Sequence, residues 1–262
     1  MVYVVCLVIA VLSAFTGSLI GLGGGVVLIP AMLFMHHYID AFAWAVPQVI
    51  VGISLITMIF TACSSTIAYI KKGRVHYRIG GLLLLGSIPG GILGSWLNQF
   101  IHADSFSLYF GVLMILLSLL FFIKRKRSGN LDQSGERTAA KYISVLPAFF
   151  ISLTVGVISG LFGIGGGAIM VPAMIVLFGL PIHIATATSM FMILFISIIS
   201  ASTHIALGHI TWQYVLIFIP GALIGGTLGA KVSQLVSSNA LEWVLRIVLV
   251  LVGARLIMEG LM

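Results

Sequence analysis

Charge is what this chain has least of. Of its 262 residues, only 7% are Asp, Glu, Lys or Arg, against roughly 25% in soluble domains. So few charges cannot cover a water-facing surface, which excludes a soluble globular protein. Acid is the scarcer sign, with six Asp and Glu in all. Asp40, Asp104, Glu242 and Glu259 stand at the ends of apolar segments, and no acid lies deep in one. That argues against a carboxylate-built sodium or proton site and against a cation site at the bilayer centre. Cysteine is nearly absent too. Cys6 and Cys63 each sit in an apolar run without metal-ligand spacing, so they read as small buried hydrophobes and no metal site is expected. The N-terminus (Met1-Val2-Tyr3-Val4-Val5) has no basic n-region and no small-residue cleavage site. It reads as a first membrane segment, not a removable signal peptide.

What is present is hydrophobicity: 60% of the residues, with a mean hydropathy of +1.23. Apolar segments run at 2–20, 26–38, 46–70, 79–98, 106–123, 142–162, 168–181, 184–206, 213–235 and 241–258. Most reach the ~20 residues that span a bilayer as a helix. The expected fold class is therefore an all-α polytopic membrane protein with about eight to ten membrane segments. The net charge of +7 does not point to nucleic acid, because ten of the thirteen Lys and Arg lie in two clusters that flank apolar spans. These are Lys71, Lys72, Arg74 and Arg78, then Lys124, Arg125, Lys126, Arg127, Arg137 and Lys141. That is the positive-inside pattern. The stretch 124–141 is polar and rich in Gly, Ser and charge, and reads as a flexible cytoplasmic linker. It divides the chain into a transmembrane repeat 1 (1–123) and a transmembrane repeat 2 (142–262).

The repeats are visible in the sequence. Gly21-Leu22-Gly23-Gly24-Gly25 with Pro30 returns as Gly163-Ile164-Gly165-Gly166-Gly167 with Pro172, at an offset of 142. Gly86, Gly90, Gly91 and Gly94 return as Gly221, Gly225, Gly226 and Gly229, at an offset of 135. Ser54 and Ser189, Ser65 and Ser200, Gly73 and Gly208, and Gln99 and Gln234 share that second offset. Repeat 1 thus carries seven extra residues between Pro30 and Ser54, most simply around His36–Asp40. A fixed offset of this kind marks tandem duplication. Charge gives the orientation. The counterpart of the basic loop Lys71–Arg78 is 207–212, which has no Lys or Arg. The counterpart of the Gln99–Asp104 turn is 234–240, flanked by Lys231 and Arg246. The bias changes side between repeats, so inverted repeats are expected, with both termini outside.

The glycine clusters interrupt helices, since Gly costs about 1 kcal/mol per residue there. Each precedes a short apolar segment. Two interruptions at matching places in two halves point to a transporter binding site. A turn of this kind offers backbone N–H groups at a helix start, where the dipole favours an anion. Gly23, Gly24, Gly25, Gly165, Gly166 and Gly167 are therefore candidate substrate-binding residues. Close helix packing is the competing use of such glycines. Pro30 and Pro172 shape the short helices. Ser54 and Thr57 in repeat 1, with Thr186, Thr188 and Ser189 in repeat 2, are candidate hydroxyl donors to the same anion; bonds to their own helix carbonyls are the alternative. Glycines at 86, 90 and 94 and at 221, 225 and 229 form packing ridges. His204, a titratable group within a span, is the candidate for proton coupling. A phosphate loop is excluded, because no Lys-Ser/Thr follows the glycines and no βαβ unit surrounds them. Gly156-Val157-Ile158-Ser159-Gly160 with His204 echoes a serine–histidine pair, but the spacing is not that of a nucleophile motif and the repeat partner of Ser159 is Gly17. No enzyme is expected.

The two Gly-x-Gly-Gly-Gly-x4-Pro copies, together with Thr188-Ser189 and the later glycine rows, resemble the sulfite exporter TauE/SafE family, also called the toluene-sulfonate uptake permease family. The likeness covers essentially the whole chain. It implies an inner-membrane permease of bacterial type for a small, often sulfur-containing anion such as sulfite, a sulfonate or sulfoacetate. Repeat 1 departs from the pattern, with Ile53-Ser54 where repeat 2 has Thr188-Ser189. The expectation is a secondary transporter working by alternating access, driven by a proton or ion gradient, with no cofactor. An anion channel of the same architecture is the alternative, and an intramembrane enzyme a more distant one. Substrate, direction, coupling ion, oligomeric state and the depth of the glycine turns stay open at this level.

Overall fold

The computed structural model describes residues 2–101, 103–122 and 145–261. Among these residues there are ten α-helices and no strand: α1 (Val2–Ile20), α2 (Gly25–Tyr38), α3 (Pro47–Ile70), α4 (Tyr77–Leu97), α5 (Ala103–Phe122), α6 (Val145–Phe162), α7 (Gly167–Val176), α8 (Ile182–Ala206), α9 (Trp212–Ser233) and α10 (Ser238–Leu261). Helices are the form that satisfies every backbone N–H and C=O within one segment, as hydrocarbon requires. Six of them are long and apolar enough to cross a membrane. The linker expected at 124–141 lies outside the described residues.

Helices α1–α5 correspond in order to α6–α10. The seven extra residues of repeat 1 are divided between two places. Helix α2 has 14 residues where α7 has 10, and the connection 39–46 is three residues longer than 177–181. The insertion therefore lengthens α2 through His36, His37 and Tyr38, and adds a short 3-10 turn at Asp40–Phe42.

Small residues set how the halves pack. On α4, Gly86, Gly90 and Gly94 lie in turn against Phe149 and Ser152, Leu153 and Gly156, then Val157 and Leu161 of α6. On α9, Gly221, Gly225 and Gly229 lie against Leu7 and Ala10, Val11 and Ala14, then Phe15 and Ser18 of α1. Both pairs run parallel, and an added Cβ would strike the backbone of the partner helix at five of the six glycines and the Ala10 side chain at Gly221. In the centre α3 runs antiparallel to its own counterpart α8, with Gly52 beside His204 while Met58 and Ile193 share one contact. Helices α5 and α10 do the same, Gly111 meeting Ile257 and Gly253 meeting Ile115. Gly80 and Gly91 of α4 meet Phe191 and Ser200 of α8, a parallel pair.

These directions give the bundle two faces. One holds Lys71, Lys72, Arg74 and Arg78 between α3 and α4, and Lys231 at the end of α9. We call it the basic face. The other holds the connections 39–46, 98–101 and 207–211. There Trp44 stacks on Tyr214 with ring centroids 3.6 Å apart and planes 6° from parallel.

Candidate functional site

Each glycine turn is shaped by left-handed backbone that only glycine adopts without strain. Gly21, Gly23 and Gly24 have φ of 85°, 89° and 102°; Gly163, Gly165 and Gly166 have 69°, 73° and 77°. The last glycine of each motif serves another purpose. A Cβ on Gly25 would collide with the carbonyl oxygen of Gly163, and one on Gly167 with that of Gly21. The two turns therefore interlock, each pressed on the other's backbone.

Serines from the central helices hold this interlock. Ser54 Oγ donates to the Gly163 carbonyl at 2.8 Å, and Ser189 Oγ donates to the Gly21 carbonyl at 2.7 Å. Thr186 Oγ1 adds a bond to the Ile20 carbonyl at 3.2 Å. Ser54, Thr186 and Ser189 are each 0% exposed. Each half thus clasps the other half's turn.

Helices α2 and α7 begin at these turns and run in opposite directions, so their N-termini face each other across the centre. Met58 Sδ lies 2.8 Å from where a Cβ on Gly23 would stand and 2.7 Å from one on Gly165; Ile193 side-chain carbons lie 3.2 and 3.1 Å from the same two positions. Met58 and Ile193 are each the twelfth residue of helices that have 24 and 25. The turns accordingly meet at mid-span, not at an interface. Neither helix start has a side-chain cap. The amides of Gly24, Gly25 and Val26, and those of Gly166, Gly167 and Ala168, donate to no carbonyl among the described residues. Unpaired amides at two opposed, buried helix starts form a site of positive potential that needs no charged side chain.

The other expected residues are placed as follows. Thr57 Oγ1 donates to the Ile53 carbonyl of its own helix at 2.7 Å. Thr188 Oγ1 accepts from the His76 amide at 3.0 Å and so anchors the start of α4. Pro30 and Pro172 lie inside α2 and α7 without ending them. Pro30 also lines a cleft of about 510 Å³ between α1, α2 and α10, whose walls are apolar except for Arg255. His204 is fully buried but lies eleven residues beyond Ile193 on α8, about 16 Å away. Its Nδ1 is 3.1 Å from Nδ1 of His209 in the following connection.

Met58, Ile193 and Ser159 touch the centre and were not expected there. Apolar residues on apolar helices carry no signal of their own; only their equivalence at the offset of 135 marks Met58 and Ile193. Ser159, on α6, has its Oγ 3.6 Å from where a Cβ on Gly166 would stand. It is 0% exposed, and its hydroxyl has no partner among the described residues.

Compared with known proteins, residues 6–256 match the family model described as sulfite exporter TauE/SafE. The chain is 40% identical to the probable membrane transporter protein YunE of Bacillus subtilis, over all of this chain and 99% of that protein. It is 27% identical to a probable membrane transporter protein of Xylella fastidiosa, covering 87% of this chain and 84% of the relative. It is 24% identical to the probable membrane transporter protein MJ0441 of Methanocaldococcus jannaschii, covering 94% and 92%. No solved structure gives a significant match.

Proposed function

The chain belongs to the sulfite exporter TauE/SafE family and is a multi-pass membrane transporter, and on that footing we propose that it carries a small oxyanion by alternating access. The observation that carries this reading is the pair of opposed helix N-termini at mid-span with unpaired amides. They can bind an anion through partial charges and hydrogen bonds, and release it without breaking a full ion pair. The absence of acid deep in any span fits an anionic cargo. A sulfite, sulfonate or sulfoacetate suits such a cradle, because its oxygens point in several directions toward donors on both sides.

The halves act as inverted repeats in this reading. Equivalent helices that lie side by side antiparallel, α3 with α8 and α5 with α10, support it. The basic face is cytoplasmic by the positive-inside rule and the termini are outside. Met58 and Ile193 fill the space between the turns, which favours a carrier with a closed centre over an open anion channel. Rocking one half on the other would part the interlocked turns and admit the anion from one face at a time.

Uptake into proteoliposomes tests the proposal, with sulfite, methanesulfonate, sulfoacetate and acetate offered in turn, with and without a pH gradient. Saturable uptake of a sulfur oxyanion, abolished in Gly166→Val protein that still purifies as a single species, is the expected result. Electrogenic, non-saturating flux would replace the carrier by a channel, and the absence of uptake of every anion would overturn the reading.

A further inference from the structure

The two ends of the bundle are equivalent by repeat but not by chemistry. Toward the basic face, Ser18 Oγ donates to the Gly226 carbonyl at 2.7 Å. Ser65 Oγ lies 2.6 Å from Ser18 Oγ, 2.6 Å from the Thr61 carbonyl and 3.1 Å from the Gly226 carbonyl. Tyr69 OH donates to the Ser18 carbonyl at 2.9 Å. The hydroxyls of Ser18, Ser65 and Tyr69 are all used and tie α1, α3 and α9 together, while Thr66 Oγ1 and Ser233 Oγ toward the same face have no partner among the described residues.

Toward the opposite face, the equivalent positions of α6, α8 and α4 are filled differently. Gly160 stands for Ser18, His204 for Tyr69 and Gly91 for Gly226, while Ser200 stands for Ser65. Ser159, Ser197 and Ser95 stand where the first cluster has Gly17, Ala62 and Ala230. All four serines and His204 are 0% exposed. The hydroxyls of Ser95, Ser159, Ser197 and Ser200 have no hydrogen-bond partner among the described residues, while the His204 ring faces the Gly160 backbone.

The groups lie on facing stretches of α4, α6 and α8. Ser200 Oγ lies 2.9 Å from where a Cβ on Gly91 would stand, and Ser95 Oγ lies 2.9 Å from one on Gly160. Gly160 follows Ser159, which abuts Gly166 at the start of α7. Ile193, Ser197, Ser200 and His204 are spaced by four, three and four residues and so share one face of α8. At the far end His204 meets His209, and the connection 207–211 covers Gly52 of α3 through Ile210.

Helix packing does not account for this. Buried hydroxyls on helices ordinarily bond a carbonyl one turn back or a neighbour, as Ser18, Ser65 and Tyr69 do at the equivalent end. Four unpaired hydroxyls in one patch need a polar occupant, either water or something that replaces it. We propose that the file of Ser197, Ser200, Ser159, Ser95 and His204 is the route by which a small oxyanion passes between the central cradle and the face opposite the basic one, with Ser159 the side chain that passes it to the α7 N-terminus. The Ser18–Ser65–Tyr69 cluster is its sealed counterpart. This rests on the anion reading of the centre, and makes the site lean toward repeat 2, since Gly17 has no hydroxyl and is pressed on the Gly24 backbone.

Single cysteines test the route, placed at Ser200, Ser159, Ser65 and Ser18 in a Cys6→Ala/Cys63→Ala background. Right-side-out vesicles are treated with the impermeant, cationic methanethiosulfonate ethyltrimethylammonium. Ser200→Cys and Ser159→Cys are expected to react roughly tenfold faster than Ser65→Cys and Ser18→Cys, since only the first pair opens to that face. The anion that the wild type takes up should slow the reaction at Ser159→Cys. As a second measurement, Ser159→Ala should raise the KM for that anion about tenfold, the worth of one hydrogen bond to a charged group. Equal reactivity of the two clusters, or an unreactive Ser200→Cys in vesicles whose wild type takes up the anion, overturns the route. Reactive cysteines that no anion protects, with Ser159→Ala transporting as wild type, leave the file a water path only and overturn its role for the anion. Failure of the wild type to take up any anion overturns the earlier reading, and that is seen before any variant is made.

Discussion

Around Ser18 two hydroxyls, a phenol and three carbonyls close on one another; around Gly160, which is the same place in the other repeat, the hydroxyls face no partner among the described residues. The backbone plan is shared, so the difference lies in side chains alone. Each buried unpaired hydroxyl costs roughly 1–3 kcal/mol, while each paired one contributes about 1. One end of the bundle is therefore held shut and the other is held shut weakly. Duplication supplied two identical doors, and substitution at a few positions made one of them easier to open. Exchanging residues between equivalent positions asks whether those few substitutions suffice.

The largest effect is expected where the exchange meets backbone. Gly17→Ser would place in repeat 1 what repeat 2 has at Ser159, but a Cβ there strikes the Gly24 amide and Cα. Overpacking of this kind costs about 1–3 kcal/mol or more, and against unyielding backbone we expect no monodisperse protein in size-exclusion chromatography. The reverse change, Ser159→Gly, should fold normally. If both variants fold alike, the turns are not as tightly interlocked as Gly17, Gly25 and Gly167 imply. Gly160→Ser is blocked in the same way, because the Gly91 carbonyl and Ser95 amide occupy the space.

Next comes Ser18→Gly, which copies Gly160 into the sealed cluster. It removes the donor to Gly226 and a partner of Ser65, so a loss of about 2 kcal/mol is expected. The change should appear as a lowered unfolding midpoint in a thermal-shift assay. Ser200→Ala, in the equivalent open cluster, should leave the midpoint unchanged or raise it, because it removes an unpaired hydroxyl. A fall of equal size in both variants would mean that the hydroxyls near Gly160 do find partners. Smaller still are the clasps on the turns. Ser54→Ala and Ser189→Ala should each lower the midpoint by about 1 kcal/mol, and by nearly the same amount, because the two bonds are symmetric at 2.8 and 2.7 Å.

Much of this was legible in the sequence. The ten segments, the duplication and the seven-residue insertion all follow from hydropathy and offsets, and the charge bias assigns one loop set to each face. The φ-positive glycines were legible because a run of Gly inside an apolar segment has few other uses. The interlock was not. Gly25 lacks a Cβ because of Gly163, which is 138 residues away in the chain and belongs to the other repeat. Ser54 and Ser189 were legible as a duplicated pair and were expected to donate to an anion; the acceptor each one meets is the opposite turn's carbonyl, and no local pattern announces that. Met58 and Ile193 were invisible because an apolar residue on a membrane helix is the default. Ser159 was visible as a faint echo of a serine–histidine pair and as a mismatch with Gly17, and the mismatch is what distinguishes the two ends.

The smallest expected effect is pH dependence at the weakly held end. His209 lies in the connection 207–211, outside the spans, and burial lowers its pKa from the ordinary value. Its folded pKa is thus below its unfolded one, near 6.5. The neutral ring contributes stability that is present above pH ~6.5 and lost as pH falls through the lowered folded value. Protonation would also put a cation 3.1 Å from the ring nitrogen of His204. Gly52 of α3 and the Gly160 backbone of α6 also adjoin the pair, and neither titrates. Acid should therefore loosen the cover over Gly52. Reaction of Ser200→Cys from that face should accelerate about two- to threefold between roughly pH 7.5 and 5.5. The thiolate fraction falls over the same range, so each rate is divided by that of a cysteine at exposed Tyr38. His209→Gln should flatten the profile, and Ser65→Cys, at the sealed end, should show none. If the acceleration survives His209→Gln, the histidine pair is not what holds this end closed.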